Sequence, residues 1–396
     1  MEKALSQRRY DLDWMRVFAF ALLILFHCGM MFNTWGWHIK NNYTTNAIEP
    51  FMNFLHQWRM PLLFFISGAA VWFAMEKYSL KQYFAERHKR LLIPLLFGML
   101  VIIPPQVYHE RLFQGQTLSF LDFYKTVLQL IPYPEGNFSW HHLWYIPYIF
   151  TFSMITIPLF RYWKSENGRN QLARFVSKFE KGSLILLWFI PIAVSESVLR
   201  PFWQQNMNNL VGDWAQFTTT LILFCFGFIL ASQKGIWQSI ERLRFRSLTF
   251  GLISFALLFM IWRMDYEPNT IEYTIYRGLR SFNMWCWILV LLGFGRKHLN
   301  FNNAVLKYAN EAVYPFYIVH QTVTVVAGFY LIAWDIPIFW KFLVVTGLTF
   351  GISWIFFEII RRNNITRMLF GLRIRWSDPT QRIPKREAVS FPSRAE

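Results

Sequence analysis

Charge is scarce in this chain: Asp, Glu, Lys and Arg supply 16% of its 396 residues, against 54% hydrophobic and 20% aromatic. Too little polar surface remains to coat a soluble domain, which excludes that class. Acidic residues are fewer than basic ones, 23 against 40, for a formal net charge of +17. Cysteine occurs only as Cys28, Cys225 and Cys286, each inside an apolar run and far from any Cys-x-x-Cys spacing. They offer neither a disulfide framework nor a metal site. No small-residue cleavage site follows Arg8 and Arg9, so the first apolar segment reads as an uncleaved helix, not a signal peptide. Low-complexity tracts and a convincing repeat between the two halves are also missing, and the second absence weighs against many transporter architectures.

What the chain does have is apolar runs of membrane-spanning length. They lie at 12–32, 51–75, 91–108, 143–160, 184–199, 217–232, 247–264, 282–295, 311–333 and 338–360. The expectation is an all-α polytopic membrane protein of about ten transmembrane helices. Residues 1–375 form the membrane-embedded domain, and 376–396, with Pro379, Pro384 and Pro392 among charges, form a polar tail expected to be disordered. The basic residues report topology. Assigning the termini and alternate loops to one side places 30 Lys and Arg there and 7 opposite, with Arg16, Arg59 and Arg263 inside spans. That is the positive-inside pattern with both termini cytoplasmic. It accounts for the basic balance without a nucleic-acid partner.

Arg16 and His27 stand eleven residues apart in the first span, LDWMRVFAFALLILFHCGMMF. Eleven steps of an α-helix return to within about 20° and advance about 16 Å, so both side chains share one face. Ionisable groups at that depth are costly and mark candidate sites; the plainer reading is a snorkelling Arg16 and a wetted His27. Asp13, three residues before Arg16, lies on the same face and can pair with it. The second span brings His56 and Arg59 to the same outer half as His27. Pro61 then interrupts its hydrogen-bond ladder, and Ser67-Gly68 permits close helix approach. The fourth span begins at SWHHLWYIP with His142, Trp144 and Tyr145, and the ninth carries His320 in YPFYIVHQT. Glu196, Arg200 and Arg280 add outer charges, whereas His141 and Arg277 read as markers of the aqueous boundary. Before the third span, Arg87, Lys89 and Arg90 read mainly as positive-inside anchors, with a phosphate-binding rim as the sharper alternative.

These pieces together resemble a family. Asp13, Arg16 and His27 form D-x-x-R followed by ten residues and His; RMPLLFFISG, RHKRLLIP, HLWYIPYIF and YPFYIVHQ follow in order, and FFEIIRRNNITRMLFG closes the series. The whole, from Tyr10 to about Arg375, resembles the integral membrane acyltransferase-3 family and, within it, the glucan biosynthesis protein C branch. The resemblance implies transfer of an acyl group, succinyl or acetyl, from cytoplasmic acyl-CoA to a hydroxyl of a periplasmic or envelope glycan. It also implies a multi-pass protein of the bacterial inner membrane, with acyl-CoA as substrate and no tightly bound cofactor. His27 and Arg16 take the family's functional pair, His27 as base or transient acyl carrier and Arg16 at the donor. Asp13 would hold Arg16, and Arg87, Lys89 and Arg90 would meet the coenzyme A phosphates. His56, Arg59, His142 and His320, beside Trp144, would orient groups or stabilise the oxyanion. For a succinyl group, Arg59, Arg200 and Arg280 are the cations available to its carboxylate. The competing expectation is a transporter or flippase for a glycan or organic anion; a weaker third is a non-catalytic component of a glucan assembly.

Overall fold

The computed structural model describes residues 8–203, 209–262 and 264–375; the expected tail 376–396 lies outside them. Among the described residues the regular structure is helical, with one isolated β-bridge between Pro132 and Phe138. Eight helices are long and apolar enough to cross a membrane: α1 (Tyr10–Met30), α2 (Glu49–Lys77), α3 (Leu80–Phe113), α9 (Trp214–Ala231), α10 (Lys234–Ile261), α11 (Ile271–His298), α12 (Ala304–Leu331) and α13 (Ile338–Ile360). Between α3 and α9 lie α4 (Phe120–Val127), α5 (His141–Ile155), α6 (Ile157–Lys164), α7 (Glu166–Ser177) and α8 (Leu184–Leu199). The helices α5 and α6 form one broken segment bent by 54°. Pro158, in the first turn of α6, supplies no N–H to carry the ladder across the break. With the shorter apolar α8, the bundle has ten apolar segments in the expected order. A last short helix, α14 (Asn364–Leu369), follows α13.

Several helices begin well before their apolar runs. α10 starts at Lys234 rather than 247, α11 at Ile271 rather than 282, and α12 at Ala304 rather than 311. Capping sets two of these starts: the Thr270 hydroxyl accepts from the Tyr273 N–H and Asn303 Oδ1 from the Leu306 N–H. Polar turns thus remain helical outside the apolar stretch. Pro61 does not break α2, which runs unbroken through it. Its missing N–H does leave the Gln57 carbonyl without its helical donor.

Helix α1 packs against α2, α11, α12 and α13, which places the Arg16–His27 face within the bundle. Helices α2 and α9 cross where Gly68 meets the Phe224 carbonyl and Gly227 meets the Phe65 carbonyl. A methyl group at either glycine would collide with that backbone oxygen, so only glycine permits this approach. At one end of the bundle, α14 closes with Gly371 at φ +67°, the left-handed conformation that favours glycine. Arg367 then ties the turn to Glu311 of α12 at 2.7 Å.

Candidate active site

The centre of the site is a pair of histidines from α1 and α12. His27 Nδ1 lies 2.9 Å from His320 Nε2, and the two rings are within 3° of parallel. His320 Nδ1 lies 2.8 Å from the Tyr317 carbonyl oxygen and 3.2 Å from that of Phe316. A carbonyl only accepts, so these partners assign a proton to His320 Nδ1 and leave Nε2 with its lone pair. His27 Nδ1–H therefore donates to His320, and His27 Nε2 carries a free lone pair. The helix register explains the geometry. His320 follows Tyr317 and Phe316 by three and four residues, so its ring folds back onto carbonyls of its own preceding turn.

His27 lines a cavity of ≈ 670 Å³. Its wall includes His56, Arg59 and Pro61 from α2, His142 and Trp144 from the start of α5, Glu196 and the adjoining Arg200 of α8, and Arg277 and Arg280 from α11. Gln216, Thr219 and Thr220 of α9 complete the polar side. The structure thus brings His27, His56, Arg59, His142, Trp144, Arg200 and Arg280 around one space, with His320 directly behind His27. His142 Nε2 donates to the Ile318 carbonyl at 3.0 Å, which leaves its buried Nδ1 without a partner. His56 stacks on Phe26, whose ring also carries the Arg59 guanidinium at 4.2 Å.

The four arginines of this wall differ in their partners. Arg200 meets Glu196 at 3.0 Å and both Asp213 oxygens at 3.1 Å, so opposing carboxylates already engage its guanidinium. Arg277 is no boundary residue: it is 7% exposed and faces the same Glu196 at 3.7 Å. Its lone position in the sequence gave no sign of the carboxylate across the cavity. Among the described residues, Arg280 meets only the Tyr276 hydroxyl, at 3.3 Å. Arg59 is 2% exposed, and among the described residues its Nε and Nη1 have no hydrogen-bond partner.

About 16 Å along α1 from His27, Arg16 gathers a second cluster. Arg16 Nη2 donates to Asp13 Oδ1 at 2.8 Å, as the spacing predicts, and to Asn310 Oδ1 of α12 at 2.5 Å. Tyr145 lies within electrostatic reach of both Arg16 and Arg87. One turn beyond Asn310, Tyr314 packs on Gly371, whose carbonyl accepts from Arg90 Nε at 3.1 Å. Arg90 and Lys89 lie in a π-helical turn, His88–Leu92, within α3, and both are exposed; Arg87, just before it, stacks on Tyr83. None of Arg87, Lys89 and Arg90 is among the residues lining the cavity.

Sequence reasoning missed a second histidine group beside the dyad. His38, from the loop after α1, faces Glu110 of α3 at 3.1 Å and the Gln321 amide of α12 at 3.1 Å. Its ring meets that of His141 edge-on at 4.9 Å. His141 itself has φ +36°, a conformation L-residues rarely adopt. No local pattern reveals this group, because its members come from one loop and three helices. The one adjacent clue was Gln321 beside His320. Among the described residues, no three His, Cys, Asp or Glu side chains are placed to hold a metal ion.

The sequence profile of the acyltransferase domain family Acyl_transf_3 matches residues 9–358. The "Glucans biosynthesis protein C" of Shigella dysenteriae serotype 1 (strain Sd197) is 24% identical over 384 residues, which cover 92% of this chain and 95% of that protein. Proteins of the same name from Escherichia coli O1:K1 / APEC and Escherichia coli (strain K12 / DH10B) match at the same identity and coverage. No solved structure matches.

Proposed function

Because the chain belongs to the Acyl_transf_3 family of membrane acyltransferases, we propose that it moves an acyl group, succinyl or acetyl, from cytoplasmic acyl-CoA to a glucan or other glycan hydroxyl across the inner membrane. The observation that carries this reading is the contact of His27 Nδ1 with His320 Nε2, at 2.9 Å, on the wall of a cavity of ≈ 670 Å³ that His27 lines. That volume falls in the ordinary range for ligand pockets. Relatives named for glucan biosynthesis support the choice of acceptor.

His27 Nε2 takes the proton of the acceptor hydroxyl as its oxygen attacks the thioester carbonyl carbon. The C–O bond forms, the C–S bond breaks, and the proton passes from His27 to the departing thiolate, giving the ester and free coenzyme A. His320 holds the His27 ring and shares the positive charge through their hydrogen bond. On this reading Arg16, held by Asp13 and Asn310, binds the donor, and Arg87 with the exposed Lys89 and Arg90 meets its phosphates. The basic excess on the terminal side agrees with a donor arriving from the cytoplasm.

The test is expression of the parent and its His27→Ala variant, at matched membrane levels, in a bacterial host lacking its own glucan acyltransferases. Mass spectrometry of periplasmic glucans reads the added acyl mass. Added mass from the parent alone is expected, and equal added mass from both removes His27 from the chemistry. If neither adds mass, other envelope glycans are examined before the transporter reading is taken up.

A further inference from the structure

A second cavity, of ≈ 290 Å³, lies in a furrow between α1, α2 and α11. Met15, Ala19 and Leu22 of α1, Leu62 of α2 and Leu291 and Phe294 of α11 line it, and its walls are almost wholly apolar. On α1 these positions centre about 110° away from the Arg16–His27 face, on the flank of the helix. Phe18 also lines the furrow and is 47% exposed, so the furrow reaches the outside of the bundle. All three helices are long and apolar enough to cross a membrane. At that depth an open apolar furrow is filled by hydrocarbon, because water in it would find no hydrogen-bonding partner. From Met15 to Leu22, and from Val290 to His298, it follows its helices for about 10–12 Å, against about 15 Å for the hydrocarbon of one leaflet. That length suits a single chain of one leaflet.

One end of the furrow is basic. His298 lines it and Lys297 adjoins it; both are exposed, and among the described residues neither meets a carboxylate. Their neighbour Arg296 is already engaged by Glu241 at 3.0 Å. Beside them the Trp14 indole stacks on Phe18 and donates to the Phe301 carbonyl at 3.2 Å. A tryptophan so placed, apolar on one side and hydrogen-bonded on the other, is characteristic of the membrane interface.

We propose that this furrow binds an anionic phospholipid, with one acyl chain between α1, α2 and α11 and the headgroup phosphate at Lys297 and His298. The apolar walls select a lipid over a soluble ligand. The basic end selects an anionic headgroup over a zwitterionic one, whose own ammonium it repels. On the orientation proposed above, the lipid belongs to the cytoplasmic leaflet. It braces the start of α1, which carries Arg16, against the end of α11, and it stands independently of the acyltransferase reading.

The experiment titrates the purified full chain, in a neutral detergent, with dioleoylphosphatidylglycerol or dioleoylphosphatidylcholine. Native mass spectrometry counts the lipids bound per chain. The parent is expected to bind one phosphatidylglycerol at least fivefold more tightly than phosphatidylcholine. Lys297→Gln combined with His298→Gln is expected to bring the two lipids within twofold. Leu22→Trp, which fills the furrow, is expected to weaken both at least fivefold; Leu291→Trp fills it from α11 and serves if Leu22→Trp fails to fold. Equal affinity of the parent for the two lipids overturns the proposal, and so does an unchanged preference in the double Gln variant. Unchanged affinity in the folded Trp variant places the lipid elsewhere and also overturns it. A dimer that lipid does not displace, but that the Trp variant disperses, gives the furrow to a second copy of the chain and overturns it as well.

Discussion

Replacing His320 tests the relay behind His27 without touching the cavity wall. In His320→Leu, the His27 Nδ1–H loses the acceptor that stands 2.9 Å away. Leaving a buried donor unpaired costs about 1–3 kcal/mol. The ring also becomes free to turn or to move its proton to Nε2, which removes the base. At about 1.4 kcal/mol per factor of ten, kcat falls by a factor of about 5 to 150. KM for either substrate stays close to the parent value, because His320 does not line the cavity. His320→Gln is the informative companion: its Oε1 reaches the place of the imidazole Nε2 and still accepts from His27, so it retains within about tenfold of parent kcat. The assay is single-turnover acyl transfer with purified, detergent-folded variants. A folded Leu variant at parent kcat refutes the relay, and so does equal loss in Leu and Gln.

Further outcomes follow from other parts of the structure. Asn310→Ala removes one of the two acceptors of Arg16 and is expected to weaken donor use, read as a lower kcat/KM for acyl-CoA at unchanged melting temperature. Asp213→Asn leaves Arg200 with one carboxylate in a buried site; stability falls by up to about 3–5 kcal/mol, read by thermal unfolding in detergent. Gly227→Ala forces α2 and α9 apart at the Phe65 carbonyl and costs about 1–3 kcal/mol in the same measurement. A reporter active only beyond the membrane is expected to stay silent when fused after Asn300 and to work when fused after Thr270; the reverse would overturn the proposed orientation.

The part of the site written along single helices was legible in the sequence. The Arg16–His27 face and the Asp13 partner follow from helical periodicity, which is local. The shared depth of His56, Arg59, His142 and His320 followed from counting along alternating spans. Which side chains face one another across the bundle did not follow, because contacts 200 or more residues apart have no periodic signature. Arg200 and Arg280 looked equivalent, yet Asp213 neutralises one, whereas among the described residues the other meets a tyrosine hydroxyl. The contacts of His38 have no sequence signature, because its glutamate and glutamine partners sit on α3 and α12. The ten segments were found in order, but their starts were not, since apolarity reports the hydrocarbon layer while caps decide where a helix begins.

The crossing of α2 and α9 bears on how such a cavity opens. Where two main chains touch at Gly68 and Gly227, no side chain lies between them to change rotamer or be compressed. The two helices are therefore joined like a keel, with His56 of α2 and Thr220 of α9 on the cavity walls they carry. The elements whose backbones depart from regular helix lie elsewhere in the bundle. These are the 54° break between α5 and α6 and the π-helical turns of α3. The bundle is tied main chain to main chain at one crossing and broken in its helices at others.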